Sequence, residues 1–117
     1  MNAPQHRSHI TTHVLDTGTG RPASGVKATL AAKTAAGWQE LGSGTTDGDG
    51  RIGGLGPTQV EPGHYRITFD TGTYFGTKGT ETFFPEVVLG FVVADATEHY
   101  HVPLLISPFA YSTYRGS

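Results

Sequence analysis

Apolar and polar residues alternate with a period of two over most of this chain, and no long stretch of 3.6-residue periodicity interrupts them. The segment His9 to Asp16 sets Ile10, Thr12 and Val14 against Thr11, His13 and Leu15, so it predicts a strand with His13 opposite the Ile10 and Val14 face. It stops at the turn-forming run Asp16-Thr17-Gly18-Thr19-Gly20-Arg21-Pro22. Val26 to Ala32 predicts a half-buried second strand, with Val26, Ala28 and Leu30 inward and Lys27 and Thr29 outward. Trp38 to Thr45 predicts a third, followed by the turn Asp47-Gly48-Asp49-Gly50 and a short strand at Arg51-Ile52. Arg51 thus leaves a tight turn. Tyr65 to Asp70 alternates most cleanly, with Tyr65, Ile67 and Phe69 on one face. Residues 71–82 lose the alternation and accommodate one short helix around Tyr74 to Lys78, after which Phe83-Phe84-Pro85 turns the chain.

Val87 to Val93 is apolar on both faces. In a small two-layer domain one face fills the core, and the other meets water unless a second subunit or a local segment covers it. That is a hint of oligomerisation. His99 to Ile106 and Tyr111 to Tyr114 complete a set of about eight strands with turn signals between them, the pattern of an antiparallel sandwich.

Length and composition narrow the picture. The 117 residues make one domain, and 36% hydrophobic with 15% charged residues describe a globular chain. A net charge of −2 offers no electrostatic footprint for nucleic acid or anionic lipid. Without cysteine, disulfide, zinc-ribbon and thiolate chemistry are excluded. Met1 to Ser8 lacks the apolar run of a signal peptide, and the longest nearly unbroken apolar run, Val87 to Ala94, is far short of the roughly 20 residues of a spanning helix. Arg115-Gly116-Ser117 differs from the Ser-Lys-Leu peroxisomal address, which leaves the cytoplasm as the expected location.

Two pattern matches fail on chemistry. Gly18-Thr19-Gly20-Arg21-Pro22-Ala23 fits a dinucleotide fingerprint, but Pro22 and Gly25 oppose the helix that must follow. Asp47-Gly48-Asp49 opens like a calcium loop, yet Arg51 and Ile52 stand where an oxygen ligand and a glycine are required. The histidines carry more: His6, His9, His13, His64, His99 and His101. His6 and His9 read as solvated. His99 and His101, two apart on a strand, share a face, which suits an acid/base pair, two metal ligands, or simply two exposed strand histidines. A zinc site needs convergence that spacing does not establish, so no metal and no cofactor enter the expected chemistry. Tyr114-Arg115-Gly116-Ser117 by itself reads as a frayed end.

Taken together, Ile10-Thr11-Thr12-His13-Val14-Leu15-Asp16, Asp49-Gly50-Arg51, His99-Tyr100-His101-Val102-Pro103-Leu104-Leu105 and the terminal Tyr114-Arg115-Gly116-Ser117 resemble the 5-hydroxyisourate hydrolases, the transthyretin-related proteins of purine breakdown. Gly63-His64-Tyr65 and Phe83-Phe84-Pro85-Glu86-Val87 extend the resemblance, which runs from about residue 8 to the last. The terminal tetrapeptide is its most specific part, because it separates the hydrolases from the hormone carriers of the same fold. The resemblance implies a transthyretin-like sandwich of two four-stranded antiparallel sheets with one short helix, spanning residues 8–117 behind a flexible segment 1–7. It implies a homotetramer, a dimer of dimers, with active sites in the channel where the dimers meet. Carried over residue by residue, His13, Arg51 and His101 are the catalytic residues, and these three with Tyr114, Arg115, Gly116 and Ser117 bind the substrate. The sequence departs slightly from the family pattern in its polar N-terminus and in Thr46-Asp47-Gly48, where a Thr-Asn pair is frequent.

The implied reaction adds water to a cyclic amide of 5-hydroxyisourate, giving 2-oxo-4-hydroxy-4-carboxy-5-ureidoimidazoline on the route from urate to allantoin. Opening a lactam needs a base for water, a proton for the leaving nitrogen and positive charge for the carbonyl oxygen. His101 is the favoured base, with His13 orienting water or completing the proton path, and Arg51 supplies charge that it cannot lose. The rival reading is a carrier holding a small aromatic ligand in the same channel without turning it over. Such a site calls for a mostly hydrophobic lining.

Overall fold

In a computed structural model that describes residues 7–117, nine strands and one helix form a two-layer sandwich. Strands β1 (Ile10–Asp16), β2 (Arg21–Pro22), β3 (Lys27–Thr34), β4 (Gly37–Thr45), β5 (Arg51–Ile52) and β6 (Gly63–Phe69) precede helix α1 (Thr71–Thr77). Strands β7 (Val87–Val93), β8 (Tyr100–Ser107) and β9 (Ala110–Thr113) follow it. One sheet runs β2-β1-β8-β9, with β5 also paired to β1; the other runs β4-β3-β6-β7. The expected all-β sandwich with a single short helix is therefore present, and two details differ. Arg21-Pro22, expected as turn, forms a two-residue edge strand against Leu15 and Asp16, so this sheet has five strands rather than the expected four. The pairing of β1 with β8 is parallel, whereas every other pair is antiparallel.

The inward faces follow the alternation. Ile10 and Val14 of β1 and Leu104 and Ile106 of β8 meet Ala28 and Leu30 of β3, Ile67 and Phe69 of β6, and Val87 and Leu89 of β7 in one core. Burying each such aliphatic side chain contributes about 1.5–3 kcal/mol, so the alternation selects the register of every strand at once. On β7 the opposite face leaves Val88 and Val92 45% and 54% exposed, as its doubly apolar pattern predicts for a single chain.

The helix begins earlier than expected because Asp70 caps it: one carboxylate oxygen accepts the Thr73 backbone N–H at 3.0 Å and the other accepts the Thr73 hydroxyl at 2.7 Å. Its Tyr74 and Phe75 are buried. The Tyr74 hydroxyl donates to Asp16 at 2.7 Å, and the same buried carboxylate accepts the Gly18 and Thr19 N–H groups. Helix, first strand and first turn are thus tied at one fully partnered acid. Burial, then the bond to Asp16, pushes the Tyr74 phenol well above its ordinary pKa.

His9 corrects one expectation. It is buried rather than solvated, because the segment around Val60 folds over it; its Nδ1 accepts the Val60 N–H at 2.9 Å, and its Nε2 donates to the Glu98 carbonyl. His6 and residues 1–6 of the leading segment lie outside the described residues. Arg7 hydrogen-bonds His99 at 2.9 Å.

Gly50 is the backbone device that positions Arg51. Its φ is +75°, and a Cβ there would lie 2.3 Å from the Val14 carbonyl oxygen, so only glycine lets the turn dock on β1. The Val14 N–H donates to the Gly50 carbonyl at 2.7 Å, and Asp47 accepts the Asp49 and Arg51 N–H groups at 2.9 and 3.0 Å. Gly50→Ala is expected to cost about 1–3 kcal/mol of stability, measured by urea unfolding. An unchanged unfolding midpoint would mean that the turn tolerates a side chain.

Candidate active site

Strand register brings the expected polar residues together. In β1, Ile10, Thr12 and Val14 face the core, which leaves Thr11, His13 and Leu15 on the outer face. Parallel pairing sets Thr11 beside His101 and His13 beside Pro103, and antiparallel pairing sets His13 beside Arg51. Cross-strand partners point to the same side of a sheet, so His13, Arg51 and His101 share the outer face of one sheet. The His13 and His101 ring centroids are 6.5 Å apart. A cleft of about 320 Å³ opens here, lined among others by Arg7, Thr11, Arg51, Gly53 and His101.

The terminal tetrapeptide does not hang free. Gly116 bridges to His101, its N–H donating to the His101 carbonyl at 2.9 Å, in the same antiparallel register as Leu104 with Thr113 in the β8–β9 hairpin. A Cβ at Gly116 would lie 2.7 Å from Cδ2 of the His101 ring and 3.3 Å from Pro103. The absence of a side chain therefore lets the tail lie flat against the imidazole. Arg115 sits elsewhere: its guanidinium lies over the Tyr100 ring at 4.5 Å and 3.8 Å from Glu98. With Tyr114 it lines a second cleft of about 500 Å³, walled by Val88 and Val92 of β7 and sharing His101 with the first. Ser117 is exposed. Within one chain, then, His13, Arg51, His101 and Gly116 converge, while Tyr114, Arg115 and Ser117 belong to the neighbouring opening or to the surface.

The charges shape the imidazoles. Burial first, then the positive charge of Arg51 and the neighbouring histidines, holds His101 below the ordinary imidazole pKa. Burial and Arg7 do the same to His99. His101 is therefore neutral at neutral pH, the form in which a ring nitrogen accepts a proton. Asp47 beside them is held low chiefly by the Arg51 backbone N–H. Among the described residues no group of three or more His, Asp or Glu is placed to hold a metal ion.

Thr11, Arg7 and His99 also belong to this face. His99 was visible through its spacing from His101. Thr11 and Arg7 carried no signal, since they reach the site only through the pairing of β1 with a strand 90 residues away.

Two facing sheets, one capped helix and a tail anchored on an outer-face histidine define a transthyretin-like sandwich. The chain belongs to the HIUase/Transthyretin family, whose pattern it matches over residues 10–116. It is 50% identical to the 5-hydroxyisourate hydrolase of Salmonella typhimurium over 109 residues, 92% of this chain and 80% of that one. The structure of Klebsiella pneumoniae 5-hydroxyisourate hydrolase superposes with a TM-score of 0.82 at 36% identity, over 92% of this chain and 98% of that one. Sea bream transthyretin in complex with thyroxine superposes at 0.85 with 34% identity, over 92% and 93% of the two chains. No helix among the described residues is long and apolar enough to cross a membrane.

Removing the Arg51 charge should raise the titration midpoint of His101, followed through its ring C–H resonance, in Arg51→Ala. The midpoint should stay below the ordinary imidazole value, because burial, the larger cause, remains. A midpoint that does not move would separate Arg51 from His101 electrostatically.

Proposed function

We propose that this protein hydrolyses 5-hydroxyisourate to 2-oxo-4-hydroxy-4-carboxy-5-ureidoimidazoline. The observation that carries the reading is the convergence of His13, Arg51 and His101 on one outer sheet face, with the tail glycine laid on His101. It is supported by 50% identity to a curated hydrolase across most of both chains.

In the proposed mechanism neutral His101 takes a proton from water, and the water oxygen bonds to the ring carbonyl carbon. Arg51 holds the negative charge that develops on the carbonyl oxygen. The carbon–nitrogen bond then breaks, and the proton held on imidazole passes to the leaving nitrogen, so the proton count closes. His13 orients the water or completes the proton path. Tyr114, Arg115, Gly116 and Ser117 offer donors and acceptors to a flat, heteroatom-rich ring.

The catalytic domain is taken as residues 8–117, working without cofactor in the cytoplasm as a homotetramer, with Tyr114, Arg115 and Ser117 completing a site shared between copies. In support, β7 and β9 each end a sheet, and Val88 and Val92 are exposed beside the second cleft. Such edges and apolar faces call for a partner.

Urate oxidase generates 5-hydroxyisourate from urate, and the loss of its ultraviolet absorbance is followed with and without this protein. Accelerated decay is expected, and unchanged decay favours a transthyretin-like carrier. His101→Asn or Arg51→Ala should lower turnover by about 10²-fold or more with the oligomer intact. Near-normal turnover in either variant would remove that residue from the chemistry. Deleting Tyr114 to Ser117 should abolish hydrolysis with little effect on the thermal midpoint; a truncated protein that still turns over substrate would make the tail dispensable.

A further inference from the structure

The outer face holds a chain of hydrogen bonds that the proposed reaction has not yet used. Arg7 Nη2 lies 2.9 Å from His99 Nε2, that nitrogen lies 2.9 Å from Thr11 Oγ1, and Thr11 Oγ1 lies 2.8 Å from His101 Nδ1. Thr11 is almost fully buried, with 5% of its surface exposed.

The direction of every bond in this chain follows from its first member. A guanidinium has donors only, so the His99 Nε2 facing it carries no proton and accepts. Thr11, 2.9 Å from the same unprotonated nitrogen, meets it as a second donor that shares its single lone pair with Arg7, and a hydroxyl has one proton to give. What remains on the Thr11 oxygen is lone pairs, and these can meet His101 Nδ1 only if Nδ1 is protonated. A neutral imidazole with its proton on Nδ1 has its free lone pair on Nε2. Gly116 lies against the Cδ2 edge of the same ring.

We propose that Thr11 is a positioning residue which, with Arg7 and His99, fixes His101 in the tautomer protonated on Nδ1 and so presents Nε2 as the proton acceptor. Thr11 does not touch the reacting atoms; it acts through His101. The use of Nε2 as base rests on the proposed hydrolysis, whereas the tautomer itself does not.

The test labels the histidine rings with ¹⁵N in the full-length protein and reads tautomers from long-range proton–nitrogen correlations above the imidazole titration range. Wild-type His101 should show the Nδ1-protonated pattern, and the opposite pattern overturns the proposal. Thr11→Val should shift His101 toward the other tautomer and lower kcat about tenfold, the weight of one net hydrogen bond, with KM little changed. Thr11→Ser should restore both readouts. A Thr11→Val protein that keeps the wild-type pattern and kcat also overturns it. Arg7 is exposed, so Arg7→Met keeps the question open to measurement even if Thr11→Val fails to fold. It should shift the His101 tautomer in the same direction, and an unchanged pattern breaks the relay at its origin. Should wild-type protein leave 5-hydroxyisourate decay unaltered yet show the expected tautomer, the proposed reaction falls and the hydrogen-bond chain stands.

Discussion

The parallel pairing of β1 with β8 is the constraint from which the rest follows. It places Thr11 beside His101 and Val14 beside Leu104, so one register decides both what enters the core and what stands on the outer face. Because side chains alternate with a period of two, a slip of one residue would expose Ile10 and Val14 and bury His13. The hydrophobic energy of the core thus holds the outer face in place, although none of His13, Arg51 and His101 belongs to that core. Three shorter pairings hang on this pair: β2 and β5 on the free edge of β1, and the β9 hairpin with its tail on β8.

Among the described residues, charge is arranged on top of that frame without buried ion pairs. Arg51 reaches the outer face through a turn fastened by Asp47 and by the positive φ of Gly50, and its charge falls on a histidine already partly desolvated. Both influences favour neutral imidazole, and an uncharged ring is the useful state for accepting a proton. At the other end of β1, Asp16 satisfies a buried carboxylate with a phenol and two backbone donors, a structural role with no link to the cleft.

Much of this was legible in the residues, and what was not has a common cause. The strand at 87–93 matches its predicted limits, and those at 10–16, 27–34 and 63–69 fall within two residues of theirs, because alternation is a local signal. The helix start was displaced because Asp70, which ends an alternating run, is in fact an N-cap. His13, Arg51 and His101 were named through resemblance to a family, not through geometry; nothing local tells that Thr11 will face His101. The burial of His9 depends on a loop 51 residues away, and parallel pairing leaves no turn signature at all. Long-range pairings were invisible, and the site is made of them.

That same separation sets the order in which the molecule can come together. The hairpins β3–β4 and β6–β7 join near neighbours in sequence, but β1 must await a partner translated some 90 residues later. Closing so large a loop is entropically costly and slow, so the β8 edge of β1 stays unpaired until β8 has been made. The outer face is therefore completed only with β8: a nascent chain halted before it can possess a formed second sheet and still lack His101, the tail anchor and the cleft that His101 lines.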